Sequence, residues 1–173
     1  MPASSTEKRA TQRIAALSAQ LSSTLSSPEP SSTAPIAPAT MSADRRPPIT
    51  CHVLDTTVGK PGANIPVTLS LISAKGQHTG VGQPPLTATT NADGRVTAWE
   101  TPRGCFGLEE LFHLKDVEQT YALKFDTQEY FEQRDIKAFF PEVEVRFLVD
   151  NKKEHYHVPV LLGPFGYTTY RGS

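Results

Sequence analysis

Cysteine, net charge, apolar runs and N-terminal aromatics are all scarce in this chain, and each scarcity closes off a class of function. Cysteine occurs twice in 173 residues, at Cys51 and Cys105. The pair supplies no CxxC motif, no metal-ligand spacing and no disulfide framework, so a reduced compartment is the simpler expectation. Seventeen Lys and Arg stand against 18 Asp and Glu, a net charge of −1. That balance gives no electrostatic footprint for nucleic acid or an anionic membrane, and neither is expected as a partner. No apolar run approaches the roughly 20 residues of a membrane-spanning helix, and no apolar core of a secretory signal opens the chain. Aromatic residues are absent from residues 1–47, which hold ten Ser, nine Ala and six Pro. Such a stretch buries too little apolar surface to offset the entropy of ordering it. The expected organisation is therefore a flexible N-terminal extension, 1–47, with Ser22–Pro47 as linker, followed by one domain, 48–173.

One part of the extension has a pattern. Ile14, Leu17, Leu21 and Leu25 recur at helical spacing, which predicts a short amphipathic helix over Arg13–Leu25. Within it, Arg13-Ile14 and Gln20-Leu21 flank a five-residue gap. Seven or eight residues complete two helical turns, so the four side chains share a face. The segment 13–21 resembles the N-terminal class of peroxisomal targeting signal. An ordinary solvated tail and a mitochondrial presequence are the alternative readings, since the tail is basic and poor in acids.

From Pro48 onward the chain reads as β structure. Val67, Leu69 and Leu71 alternate with Thr68, Ser70 and Ile72; Tyr121, Leu123 and Phe125 alternate with Ala122, Lys124 and Asp126. Val143, Val145, Phe147 and Val149 form a third period-two series. Period two with one apolar face describes strands packed on a core from one side. Ile49–Leu54, Leu86–Thr90, Arg95–Trp99 and His155–Leu161 are further strands. Gly59-Lys60-Pro61-Gly62 marks a break. Asn91-Ala92-Asp93-Gly94 fits a type I turn, with Asn first and Gly fourth, and predicts a hairpin between Leu86–Thr90 and Arg95–Trp99. Thr127–Asp135 is the expected helix, capped by Thr127, with Tyr130 and Phe131 packed inward. Leu108–Leu114 fits either a helical turn or a strand. Seven or eight strands and one short helix make a mainly β protein, a β-sandwich.

Candidate chemistry gathers around histidine and arginine. His155 and His157 share one face of their strand, opposite Tyr156, Val158 and Val160. If the latter face is the core, the histidines point outward. A His-x-His pair invites a zinc reading, but a third and fourth ligand are needed and the cysteines have no matching spacing. The plainer reading is that these are satisfied structural residues. Arg95, directly after the turn, is a planar and permanently charged fork suited to a planar polar substrate or a developing oxyanion, or simply an exposed hairpin residue. The segment Val160–Ser173 stays apolar and aromatic to Tyr170-Arg171-Gly172-Ser173, where termini usually fray into polar tails.

Five blocks together carry a resemblance. His52-Val53-Leu54-Asp55-Thr56 with Gly59-Lys60-Pro61, Thr90-Asn91-Ala92-Asp93-Gly94-Arg95, Phe140-Pro141-Glu142-Val143, His155-Tyr156-His157-Val158-Pro159 and the terminal Tyr170-Arg171-Gly172-Ser173 resemble, in order and spacing, the motifs of 5-hydroxyisourate hydrolases. The similarity runs from Ile49 to Ser173. It implies a transthyretin-like β-sandwich. It further implies a catalytic set of His52, Arg95, His157 and Ser173, with His52, Arg95, Tyr170 and Arg171 binding substrate. His155 matches the motif with a lesser role. The implied reaction converts 5-hydroxyisourate to 2-oxo-4-hydroxy-4-carboxy-5-ureidoimidazoline in urate degradation, with no metal and no organic cofactor. The implied assembly is a homotetramer, a dimer of dimers with sites between dimers. A peroxisomal location, through an import receptor engaging residues 13–21, fits the resemblance, with the cytoplasm as alternative. A transthyretin-like carrier without catalysis is the competing reading. Departures are modest: Gly163 stands where Ser is common, and Gly76–Pro85 looks like a lengthened loop.

Overall fold

The computed structural model describes residues 46–114 and 116–173. The candidate targeting segment 13–21, the helix expected over Arg13–Leu25 and all of the linker before Arg46 lie outside the described residues.

The alternating segments form two sheets. The first comprises β1 (Ile49–Asp55), β2 (Lys60–Pro61), β5 (Arg95–Val96), β8 (Tyr156–Gly163) and β9 (Gly166–Thr169). The second comprises β3 (Pro66–Ala74), β4 (Leu86–Thr89), β6 (Gln119–Asp126) and β7 (Glu142–Val149), in the order β4-β3-β6-β7. In the first sheet the order is β2-β1-β8-β9, with β5 also on β1. The β1–β8 pairing is parallel, and the other strand pairings in both sheets are antiparallel. The expected mainly β sandwich is present.

The core is what the alternation dictates. From the first sheet Ile49, Cys51, Val53, Val158, Val160 and Leu162 face inward, and from the second Val67, Leu69, Leu123, Phe125 and Val143 do so, all nearly or fully buried. Among the described residues two short helices add to the core: α1 (Leu108–Phe112) inserts Leu111 and Phe112, and α2 (Gln128–Glu132) inserts Tyr130 and Phe131. The segment with two readings, Leu108–Leu114, is thus a single helical turn. Thr127 does not cap α2 with its side chain; its hydroxyl donates instead to the Phe140 carbonyl at 2.7 Å.

The turn Asn91–Gly94 forms as expected, with the Gly94 amide donating to the Asn91 carbonyl at 2.8 Å and Gly94 at φ 72°. The hairpin forms only in part: Thr87 and Glu100 exchange two backbone hydrogen bonds below the turn, but β4 and β5 do not pair. β4 pairs with β3 in one sheet and β5 with β1 in the other, so the turn is a crossing between layers. Two contacts draw the chain across: the buried Thr90 hydroxyl donates to the Gly62 carbonyl at 2.7 Å, and the Val53 amide donates to the Gly94 carbonyl at 2.8 Å. A Cβ on Gly94 would lie 2.4 Å from the Val53 carbonyl oxygen, so only glycine permits this approach. The strand expected over Arg95–Trp99 stops at Val96, and Trp99 turns its indole N–H onto the Ile49 carbonyl at 2.8 Å.

One polar group is fully buried at the end of β1. The Asp55 carboxylate accepts from the Thr57 amide and hydroxyl and, at 2.8 Å, from the Tyr130 hydroxyl of α2. Burial pushes its pKa up, but the donors from Thr57 and Tyr130 outweigh burial and hold it below the usual carboxylate value. A depressed native pKa means stability that is present above the unfolded value of about 3.9 and lost as pH falls through the native one. Asp55→Ala should cost about 3 kcal/mol in urea unfolding at neutral pH, because it orphans a buried tyrosine hydroxyl. The same variant should also show a flatter loss of stability below pH 4 than the parent.

Candidate active site

The parallel ladder decides what meets on the outer face of the first sheet. Thr50 pairs with His157 and His52 with Pro159 across β1 and β8, while His52 pairs with Arg95 across β1 and β5. Thr50 and His52 are two apart on β1, as are His155, just before β8, and His157 within it, so all four side chains project on the side opposite the core. The burial of Tyr156, Val158 and Val160 on the inner face confirms which way the histidines point.

The result is a row of imidazoles. His155 and His157 stack with ring centroids 6.4 Å apart and planes 17° apart, and His157 and His52 stack at 6.4 Å and 22°. Thr50 is only 6% exposed, and its hydroxyl sits between the first two rings, 2.9 Å from His155 Nε2 and 2.8 Å from His157 Nδ1. The remaining histidines lie elsewhere: His78 is in the loop after β3, and His113 follows α1 beside Glu109.

The chain end comes back onto this face. The Gly172 amide donates to the His157 carbonyl at 2.9 Å. A Cβ on Gly172 would lie 2.6 Å from His157 Cδ2 and 3.0 Å from Pro159 Cγ. The glycine of the Tyr-Arg-Gly-Ser segment is therefore a steric requirement: without it the backbone cannot lie flat on the histidine. His52, Arg95, His157, Tyr170 and Ser173 line one cleft of about 550 Å³, with Thr50, Thr97, Pro159 and Arg46 completing its walls. Arg171 is brought elsewhere. It pairs with Glu154 and lies over the Tyr156 ring, 5.1 Å from its centroid.

The cleft disfavours the charged form of its histidines. The pKa of His157 is lowered first by desolvation, then by Arg95, His155, His52 and Arg46. That of His52 is lowered by desolvation and by Arg95, against a backbone hydrogen bond to Asp93. That of His155 is lowered by desolvation and Arg46. Among the described residues no carboxylate lies within ion-pair distance of Arg95, so its charge is available to the cleft. Cys51 is no nucleophile: its side chain faces the core, and burial pushes its thiol up to about 12. No group of three His, Cys, Asp or Glu side chains gathers into a metal-binding set among the described residues. The chemistry on offer is proton transfer at imidazole nitrogen beside a fixed cation and a terminal hydroxyl.

Thr50 and Gly172 are the site residues that sequence reasoning passed over. Thr50 had a signal, since it shares the outward face of β1 with His52 at a spacing of two. Gly172 had only its place in the terminal segment.

Comparison with known proteins matches this architecture. A family described as HIUase/Transthyretin matches residues 49–172. A probable 5-hydroxyisourate hydrolase of Schizosaccharomyces pombe is 39% identical, covering 73% of this chain and 92% of that protein. The 5-hydroxyisourate hydrolase of Mus musculus is 40% identical over 73% of this chain and 95% of its own length. Among solved structures, Klebsiella pneumoniae 5-hydroxyisourate hydrolase aligns with a TM-score of 0.52 at 25% identity, covering 72% of this chain and 97% of that one. Transthyretin from Sparus aurata aligns with a TM-score of 0.55 at 25% identity, covering 73% and 97%. With the two sheets, the outward histidines and the terminal glycine all in place, the chain belongs to the HIUase/transthyretin family.

Proposed function

We propose that this protein hydrolyses 5-hydroxyisourate to 2-oxo-4-hydroxy-4-carboxy-5-ureidoimidazoline, a step of urate degradation. The observation that carries this reading is the convergence of His52, Arg95, His157, Tyr170 and Ser173 on a single cleft, from four separate stretches of chain. The relatives named as this hydrolase support the substrate. The Sparus aurata likeness rests on the fold, which by itself does not separate enzyme from carrier.

Water adds to a ring amide carbonyl, and its proton passes to a neutral imidazole, His157 or His52. General-base help of this kind contributes roughly 100- to 10,000-fold. The other histidine orients substrate. Arg95 holds the substrate oxygens and stabilises the oxyanion of the tetrahedral intermediate. The C–N bond then breaks, the imidazolium returns its proton to the leaving nitrogen, and the new carboxylic acid ionises. Ser173 positions the water and Tyr170 contacts the substrate. Arg171, held on Glu154, pins the terminal segment so that Ser173 stays at the cleft. No metal or organic cofactor enters this scheme.

The proposed assembly is a homotetramer, a dimer of dimers. Among the described residues β7 ends the second sheet and β9 ends the first, each with one edge that pairs with no other strand, and natural proteins cover or pair such edges. The cleft lies on an outward face that a second dimer would close. The proposed location is the peroxisome, through a receptor reading residues 13–21, on the motif alone.

The direct test generates 5-hydroxyisourate with urate oxidase and follows loss of its ultraviolet absorbance, with and without chelator. Chelator-insensitive acceleration is expected; no acceleration would leave a carrier as the better reading. Arg95→Ala should lower kcat/KM at least about 100-fold with the assembly intact by gel filtration. The acid limb of kcat/KM should lie below the ordinary histidine value of about 6.5, because desolvation and Arg95 both disfavour the imidazolium. A limb above that value would contradict a neutral-histidine base. For localisation, a fluorescent protein placed behind residues 1–47 should become punctate and turn diffuse with Arg13→Ala.

A further inference from the structure

The Thr50 hydroxyl touches two histidine nitrogens and has one proton to give. It can donate at most one of its two hydrogen bonds and so accepts at least one. Which is which fixes the tautomer of both rings, and with it the nitrogen that His157 presents to the cleft.

The cleft chemistry sets the direction. Thr50 engages Nδ1 of His157, so Nε2 is the nitrogen left to take a proton from water. Of the two cleft histidines, His157 is the one whose ring has a side-chain hydrogen-bond partner among the described residues. A neutral imidazole with a bare Nε2 carries its hydrogen on Nδ1, and that hydrogen is donated to the Thr50 oxygen, 2.8 Å away. The Thr50 proton is then left for Nε2 of His155, 2.9 Å away.

We propose that Thr50 is a positioning residue: it accepts the Nδ1–H of His157 while donating to Nε2 of His155, and so holds the Nε2 lone pair of His157 free toward the cleft. This rests on the hydrolase reading for its catalytic meaning and chooses between the two candidate bases. When Nε2 of His157 takes a proton from water, the Nδ1–H stays on Thr50, so no proton travels along the row. The oxygen of Thr50 favours the resulting imidazolium. Against it stand the charges of Arg95 on β5 and Arg46 before β1, and the flanking rings of His52 and His155. The paired Thr50↔His157 register and the near-complete burial of Thr50 keep water from substituting for the hydroxyl.

The test separates a hydroxyl from its shape. Thr50→Val keeps the volume and the β-branch and removes the proton; Thr50→Ser keeps the hydroxyl. Nitrogen-15 spectra of the His157 ring, with a His157→Gln variant for assignment, read the tautomer without reference to turnover. The parent should show hydrogen on Nδ1 and a bare Nε2. In Thr50→Val that preference should be lost toward the Nε2–H form, kcat on 5-hydroxyisourate should fall roughly ten- to hundredfold with KM little changed, and the acid limb should move to lower pH. Thr50→Ser should restore all three to near the parent. A parent ring with hydrogen on Nε2 overturns the proposal. So does a Thr50→Val protein with unchanged ring signals, or a Thr50→Ser protein as impaired as Thr50→Val. If the parent turns over no 5-hydroxyisourate, the hydrolase reading fails while the tautomer measurement still decides the role of Thr50.

Discussion

Everything at the cleft depends on one parallel ladder. β1 and β8 are separated by about a hundred residues of chain, yet their register sets Thr50 against His157 and His52 against Pro159 without a connecting turn to enforce it. A parallel pair cannot be closed by a short loop, and here the intervening chain makes the second sheet and the helices α1 and α2. The buried inner faces hold them in place: Ile49, Cys51 and Val53 on one strand, Val158, Val160 and Leu162 on the other. A slip of one residue would turn all of these to solvent and send the histidines into the core. The hydrophobic effect thus sets the spacing of the imidazoles, although no imidazole takes part in it.

Polarity is handled differently on the two sides of β1. The inner side admits a single carboxylate, Asp55, and satisfies it completely with donors from Thr57 and Tyr130. The outer side gathers a cation and three titratable rings, and partial desolvation disfavours their charged forms. Both arrangements follow the rule that polar groups out of water are either fully paired or changed in charge state.

Much of this is legible in the sequence, and what is hidden there has a common cause. Period-two alternation identifies the strands, and it places His155 and His157 outward once the face of Tyr156, Val158 and Val160 is the core, as it is. The resemblance names the residues that the cleft brings together, Arg171 apart. Alternation says which face a residue takes but not which strand lies beside it, so the β1–β8 pairing and the role of Thr50 are invisible to it. The Asn91–Gly94 turn misleads for a related reason. Its local chemistry is the same whether the flanking strands stay in one sheet or part company. The contacts that part them, from Thr90 to Gly62 and from Gly94 to Val53, join positions about thirty or forty residues apart. The cap expected at Thr127 fails because its hydroxyl is taken by the Phe140 carbonyl.

The outward placement of the cleft has an evolutionary side. His52, Arg95, His157 and Tyr170 stand on the face opposite the core, so they are not among the buried side chains that hold the sandwich together. Chemistry and stability are then inherited separately: a lineage can redecorate this face, gaining or losing catalysis, while the sandwich beneath is passed on unchanged. That a hydrolase and a transthyretin superpose on this chain about equally well is what such a division would leave behind.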